Sequence, residues 1–236
     1  MVGSIALVPR EVMERYPRAR FLSESEQEQY DEEVRKFIVY NYPPGARAIE
    51  SLRIGINGSN FWKVSLLNQI GIRTASIQEL DLLGDLNPQF LGDFYADVPG
   101  VILRSPQERN KYLAEKLAEL AGITNFEVPY VIEGLEPKCD ENSPCGLSFK
   151  RGGQFRVIKA PDFSHANHER RFRKINPDYS IEFDKDGSKT LLTRPDGFSR
   201  LYLYGDLGVN AGNGNLASSS ASGLVVVIDA SSGAKA

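Results

Sequence analysis

The chain has 236 residues, 41% of them apolar and 10% aromatic, enough to fill a core and to exclude disorder throughout. Its net charge of -3 is too small to mark it as a global polyanion binder, so any charged partner has to be argued locally. No window approaches the roughly 18 apolar residues of a membrane span, and the short apolar run at 5–8 has no basic segment ahead of it, so neither a membrane anchor nor a secretory leader is expected.

These bounds predict a cytoplasmic protein whose two cysteines are thiols or metal ligands rather than a disulfide. The first half reads as helices. A short one is expected over 8–16, with Pro9 in its first turn and Pro17 ending it. Ser23 with Glu26 forms a capping box for the next, whose apolar stripe is Tyr30, Val34, Phe37 and Ile38. Its early turns are acidic at Glu24, Glu26 and Glu28, while Arg35 and Lys36 lie near its end, which suits the helix dipole.

Residues 53–61, RIGINGSNF, combine a β-like run, a glycine-rich turn and the start of a helix running to Ile70. The string IGING resembles the opening of the glyceraldehyde-3-phosphate dehydrogenase family. That resemblance implies backbone amides between Gly55 and Asn60 cradling a pyrophosphate at a helix N-terminus. The likeness stops at those residues: position 57 is Asn, no third glycine follows, and no acidic residue ends a second strand. The other reading is a glycine-rich turn whose Ser59 or Asn60 caps the helix.

Further on, Ser76 and Glu79 cap a helix reaching to about residue 84. Residues 87–100 read as a loop pinned by Phe90, Phe94 and Tyr95, followed by a short strand at 101–103. A helix is predicted over 106–121, with Ser105 as cap, Pro106 in first position, Glu108 completing a capping box and Gly122 as terminator. Leu113, Leu117 and Leu120 share one of its faces.

Beyond Gly122 the apolar period becomes two. A strand is expected over 126–135, interrupted by Pro129, and then a hairpin over 147–159 turning at Gly152 and Gly153. Tyr179, Ile181 and Phe183 alternate with polar residues, Asp186 and Gly187 turn the chain, and 189–193 return as a second hairpin. Strands are expected at 199–204 and 224–229, a flexible loop at 205–223 and a disordered tail at 231–236. The fold class is therefore α+β: a mainly helical region at 1–122 packed on a mostly antiparallel sheet from 123–230, as one compact domain.

Function concentrates in one block. Both cysteines and both histidines lie between Cys139 and His168, and residues 146–174 hold eight Lys/Arg against two Asp/Glu. Cys139, Cys145, His165 and His168 are the right ligand types for zinc, although five residues separate the cysteines where knuckles use two to four. Ser164 reads as the cap of a short helix through Lys174, with His165, His168 and Phe172 on one face.

Lys150, Arg151, Arg156, Lys159, Arg170, Arg171, Arg173 and Lys174 suit the neutralisation of phosphates, with Phe149, Phe155 and Phe172 available to stack on bases. The expected hairpin register splits the strand cations between two faces, which leaves 170–174 as the compact cluster. The bland alternative is a set of solvated strand edges that balance the acidic first half, within the fold or in a homo-oligomer. No nucleophile elbow, P-loop, HExxH or CxxC is present, so no catalytic residue is nominated. The expected function is a non-enzymatic binding or assembly module that contacts nucleic acid or an acidic protein surface through 150–174. The alternatives are a nucleotide-binding enzyme using the turn at Gly55 to Asn60, or a small zinc-stabilised domain.

Overall fold

The computed structural model describes residues 19–20, 24–41, 59–86, 91–107, 110–205, 208–216 and 223–228. Among them are four helices and a sheet with eight strands on its main path. The helices are α1 (Glu24–Asn41), α2 (Asn60–Gln69), α3 (Ile77–Leu86) and α4 (Lys111–Ala121). The strands are β1 (Ala19–Arg20), β2 (Tyr95–Leu103), β3 (Tyr130–Cys139), β4 (Leu147–Lys159), β5 (Arg171–Ile175), β6 (Ile181–Phe183), β7 (Lys189–Thr193), β8 (Phe198–Tyr204), β9 (Val209–Ala211), β10 (Gly223–Leu224) and β11 (Val227–Ile228). The order across the sheet is β4-β3-β2-β8-β9-β7-β5-β6, with β10 beside β2. Pairing is mostly antiparallel; β7 with β9 and β10 with β2 are parallel. No helix among the described residues is long and apolar enough to cross a membrane.

Division into a helical half and a strand half holds only in part. All four described helices precede residue 122, yet β2 comes from the same half and sits between β3 and β8 inside the sheet. Residues 87–100 were expected as a loop and only 101–103 as a strand, yet the strand Tyr95–Leu103 runs through Pro99 and Gly100. Those two residues sit where the β2–β8 register shifts, between Asp97 and Val101, and the irregularity accommodates both.

Local chemistry explains the helix ends. Glu79 N–H donates to Ser76 Oγ at 3.2 Å and Ser76 N–H to Glu79 Oε2 at 3.0 Å, a reciprocal capping box that starts α3. Gly122, at φ 70, ends α4, and Ile123 N–H returns to Ala118 O at 2.9 Å, a Schellman turn that only a left-handed residue permits. The N-terminus of α4 differs from expectation. Ser105 Oγ accepts from Gly197 N–H at 2.9 Å, tying it to the turn before β8, and the helix starts five residues beyond Pro106 with Asn110 at the N-cap position. Glu108, the helix predicted at 8–16, the cap at Ser23 and the tail lie outside the described residues.

Two apolar layers fill the faces of the sheet. Val101 and Leu103 of β2 meet Phe61, Trp62 and Leu66 of α2, Leu113 and Leu117 of α4, and Leu147 and Phe149 of β4. Ala96, Val98 and Ile102 point the other way, to Ile77, Leu80 and Leu83 of α3 and to Phe163, Phe172, Ile175, Tyr179 and Leu191. This second layer carries β5 and β6 and so positions the basic cluster.

Both expected hairpins are corrected. Residues 147–159 form one continuous strand along β3, and the true turn is at 140–146, where Asp140 N–H bonds Gly146 O at 3.0 Å. Gly152 and Gly153 belong to a bulge: between the pairs Glu133–Arg156 and Leu135–Arg151, β3 has only Gly134 where β4 has 152–155. Gly134 has φ 67, and a Cβ there would lie 2.3 Å from the carbonyl of Gln154, so glycine is required. Strands β6 and β7 do turn about Gly187, whose N–H bonds Asp184 O at 3.0 Å, but they do not pair with each other. β5 lies between them, and the turn passes over it so closely that a Cβ on Gly187 would sit 2.3 Å from Phe172 O. The strand expected at 224–229 is split into β10 and β11, the latter pairing with β1.

Candidate functional site

The helix expected from Ser164 to Lys174 is absent. Ser164 does cap, accepting from Ala166 N–H, but what it caps is one turn of 3₁₀ helix at His165–Asn167, and β5 follows. Positive φ at Glu169 (62°) turns the chain outward, and its N–H is held by Leu191 O at 2.8 Å. A bulge then sits in β5, since Phe172 pairs with Phe183 and Lys174 with Glu182. The extra residue turns Arg173 and Lys174 both to solvent, while Phe172 and Ile175 are buried. A helix would have wrapped these cations round an axis; the bulged strand displays Arg173 and Lys174 together on its solvent face.

The basic residues fall into two groups. On β4, Lys150 Nζ meets Glu136 at 3.0 Å, and Arg156 pairs with Glu133, which also accepts from Tyr179 OH. Arg151 donates Nε and Nη2 to Leu120 O at 3.0 and 2.6 Å, closing the last turn of α4, and lies over the Phe155 ring. Their charges are spent within the fold; Lys159 is exposed at the strand end. The expected stacking aromatics are also occupied. Phe149 packs against Phe61, Trp62 and Phe198, and Phe172 is fully buried.

The second group surrounds a surface groove of about 390 Å³ lined by Arg170, Arg171, Phe183, Asp184 and Lys185. The Arg170 guanidinium carbon lies 3.9 Å from the Phe183 ring centroid, and Nη1 donates to Asn167 Oδ1, so the guanidinium is held in place. Asp184 is neutralised by Arg173 and accepts from Asp186 N–H at 2.8 Å. Among the described residues no carboxylate pairs with Arg171, Lys174 or Lys185. Phe183 and Lys185 were missing from the sequence-based set; the alternation ending at Phe183 marked the strand but not its neighbour across it.

The four zinc candidates do not converge. Cys145 is buried in the layer of α2 and α4, its Sγ 3.5 Å from Leu147 O, and Cys139 packs against that same layer. The histidines lie by Phe163 at the other face, ring centroids 5.2 Å apart, and His168 Nδ1 accepts from Thr193 N–H at 3.1 Å. No group of three or more His, Cys, Asp or Glu among the described residues is placed to hold a metal. Of the turn between Gly55 and Asn60, only Ser59 and Asn60 are described. Ser59 occupies the N-cap position of α2 without giving a side-chain cap bond.

Three buried ionic clusters went unread in the sequence. Asp97 of β2 holds Arg200 of β8 at 3.2 Å, with the guanidinium over the rings of Tyr95 and Tyr202. Burial pushes the Asp97 carboxyl up to about 6, against the opposing pull of Arg200 and Lys63. Lys189 of β7 is 2.7 Å from both Asp81 and Asp85 of α3, clamping the helix to the β5 layer. Arg104 binds Thr193 Oγ1, Ala211 O, Ser199 Oγ and Phe163 O, joining the ends of β7, β8 and β9; burial, reinforced by Arg194, lowers it to about 9. Asp85 is half exposed, but the other charged groups of the three are buried, and all three serve as struts. Their signal was a charge inside an apolar run, as in YADV or FSRLYLY. Comparison of the chain with family models, with curated proteins and with solved structures finds no match in any of the three.

Proposed function

We propose that the protein is a non-enzymatic binding module that takes a polyanion, nucleic acid, at the β5–β6 edge. The observation that carries this reading is the contrast in neutralisation. Arg171 and Lys185 reach the groove without a carboxylate partner among the described residues, Lys174 lies exposed beside it, and Arg170 is held over an aromatic ring rather than an acid. Cations that are neither paired nor buried retain their full attraction for phosphate, and releasing counterions from the nucleic acid drives the association.

The test is a salt titration. Fluorescence anisotropy with labelled single-stranded and duplex oligonucleotides should give a linear fall of log K with log salt. Arg170→Ala, Arg171→Ala and Lys185→Ala together should flatten that slope by roughly two to three units. The matching variant at Lys150, Arg151 and Arg156 should leave it unchanged. Affinity weaker than about 100 μM at moderate salt for every oligonucleotide would overturn the reading. Binding to an acidic polypeptide under the same conditions would then identify the partner as an acidic protein surface.

A further inference from the structure

Resting on that reading, we infer that the groove takes single-stranded nucleic acid, one base stacking on the outer face of the Arg170 guanidinium while Arg171 and Lys185 hold the flanking phosphates. Three observations carry this.

The first is the stack itself. With its guanidinium carbon 3.9 Å from the ring centroid, Arg170 covers Phe183, so the ring face is already taken and cannot be where a base lies. A guanidinium is planar and has a second face. Arg170 is exposed, and the Asn167 side chain fixes the group at its rim through Nη1 rather than from above. What the groove presents is therefore a cationic plane backed by an aromatic one, the surface on which unpaired bases stack in proteins that bind single strands.

The second is preorganisation. A free arginine side chain loses about 1.5–2 kcal/mol of rotamer freedom when it is immobilised. Phe183 and Asn167 have already imposed that order, so a ligand meeting Arg170 gains the contact without ordering the side chain. Phe183 is itself secured, packing against the buried layer beneath β5 and pairing in register with Phe172.

The third is the shape and charge of the surroundings. At about 390 Å³ the groove lies within the roughly 300–1,000 Å³ range of small-ligand sites, too small for a duplex to enter and ample for one nucleotide. Its carboxylate, Asp184, is turned to Arg173 and to the Asp186 amide, which leaves Arg171 and Lys185 as cations of the lining with no carboxylate partner among the described residues. In a duplex every base is stacked on its neighbours, so the Arg170 plane would be left unused.

The experiment compares two strands of equal charge. A labelled oligodeoxyadenylate of about ten nucleotides and an abasic strand of the same length are titrated with the full chain and with two conservative variants. The base-bearing strand should bind at least about fivefold tighter, the lower end of what one stacked base contributes. Arg170→Lys, which keeps the charge and removes the plane, should erase that preference and leave abasic binding and its salt slope unaltered. Arg171→Lys should keep the preference within about twofold, since its role asks only for a positive charge. Equal binding of the two strands, or a preference that survives Arg170→Lys, would overturn the stacking site while leaving the polyanion reading intact. Tighter binding of a duplex of the same sequence would overturn it too. Failure of both strands to bind would remove the polyanion reading with it.

Discussion

β4 and β5 carry similar runs of arginine and lysine, FKRGGQFRVIK and RFRK, and put them to opposite uses. On β4 three of the four cations are consumed: one closes a helix C-terminus, one answers a carboxylate that is buried with a tyrosine, one pairs with Glu136, and only Lys159 at the strand end stays exposed. Around β5 most are left to solvent, and the exception, Arg173, neutralises the only acid in the groove. Identical side chains are thus structural or available according to whether the fold brings an acceptor to them. Charge density along the sequence does not decide it.

The comparison can be broken most severely at the frame beneath β5. Lys189→Ala leaves Asp81 buried without its cation, and chemical denaturation should show a loss of about 3–5 kcal/mol. Oligonucleotide binding should weaken with it, because α3 no longer clamps the β5 layer. The same stability loss with unaltered binding would show that the groove does not depend on that frame.

A pH series is the next largest effect and sets the background for any charge comparison. The Asp97 carboxyl titrates near 6 when folded, above the usual value of roughly 4, so the native state holds that proton more tightly. Its contribution is present in full below about pH 4 and is lost as pH rises through about 6, roughly 2–3 kcal/mol in all. Denaturation of the parent chain and of Asp97→Asn, taken at intervals from pH 4 to 7, should show the parent losing that amount of stability relative to the variant as pH rises. Parallel curves would show that Asp97 titrates normally.

Alanine at Lys150, Arg151 and Arg156 together should cost about 1–2 kcal/mol, most of it from Arg151 and Arg156, since the exposed Lys150 pair contributes little. If those substitutions lowered the salt slope instead of the stability, the assignment of the two strands would be reversed. The smallest expected effect is at Lys174, exposed but outside the groove lining. Lys174→Ala should reduce the slope by less than about one unit.

The sequence was most readable where a few adjacent residues settle the outcome. Ser76 with Glu79, and Gly122 after Ala121, determine helix ends through bonds that span three to five positions. It misled where one local signal serves two structures. Gly152-Gly153 suits a hairpin turn as well as a bulge, and only the length of β3, able to pair along both halves of 147–159, decides between them. The same holds for Phe183: alternation placed it on a strand, but its partners are Phe172 and Arg170, fixed by β5 lying between β6 and β7. The candidate block was visible as composition. Its division into spent and available cations was not, because Glu133, Glu136 and Leu120 O reach β4 only through tertiary pairing.

The bulge at Gly134 has a consequence for how the molecules behave in a crowd. β4 is the outermost strand of its end of the sheet, thirteen residues long, and a strand of that length is a template on which other chains can polymerise. Four residues facing one make the outer row of amides and carbonyls change spacing partway along. An arriving straight strand can match the row on one side of Gly134 or on the other, never both. A single residue that has no side chain thereby shortens the template that this edge offers to an added strand.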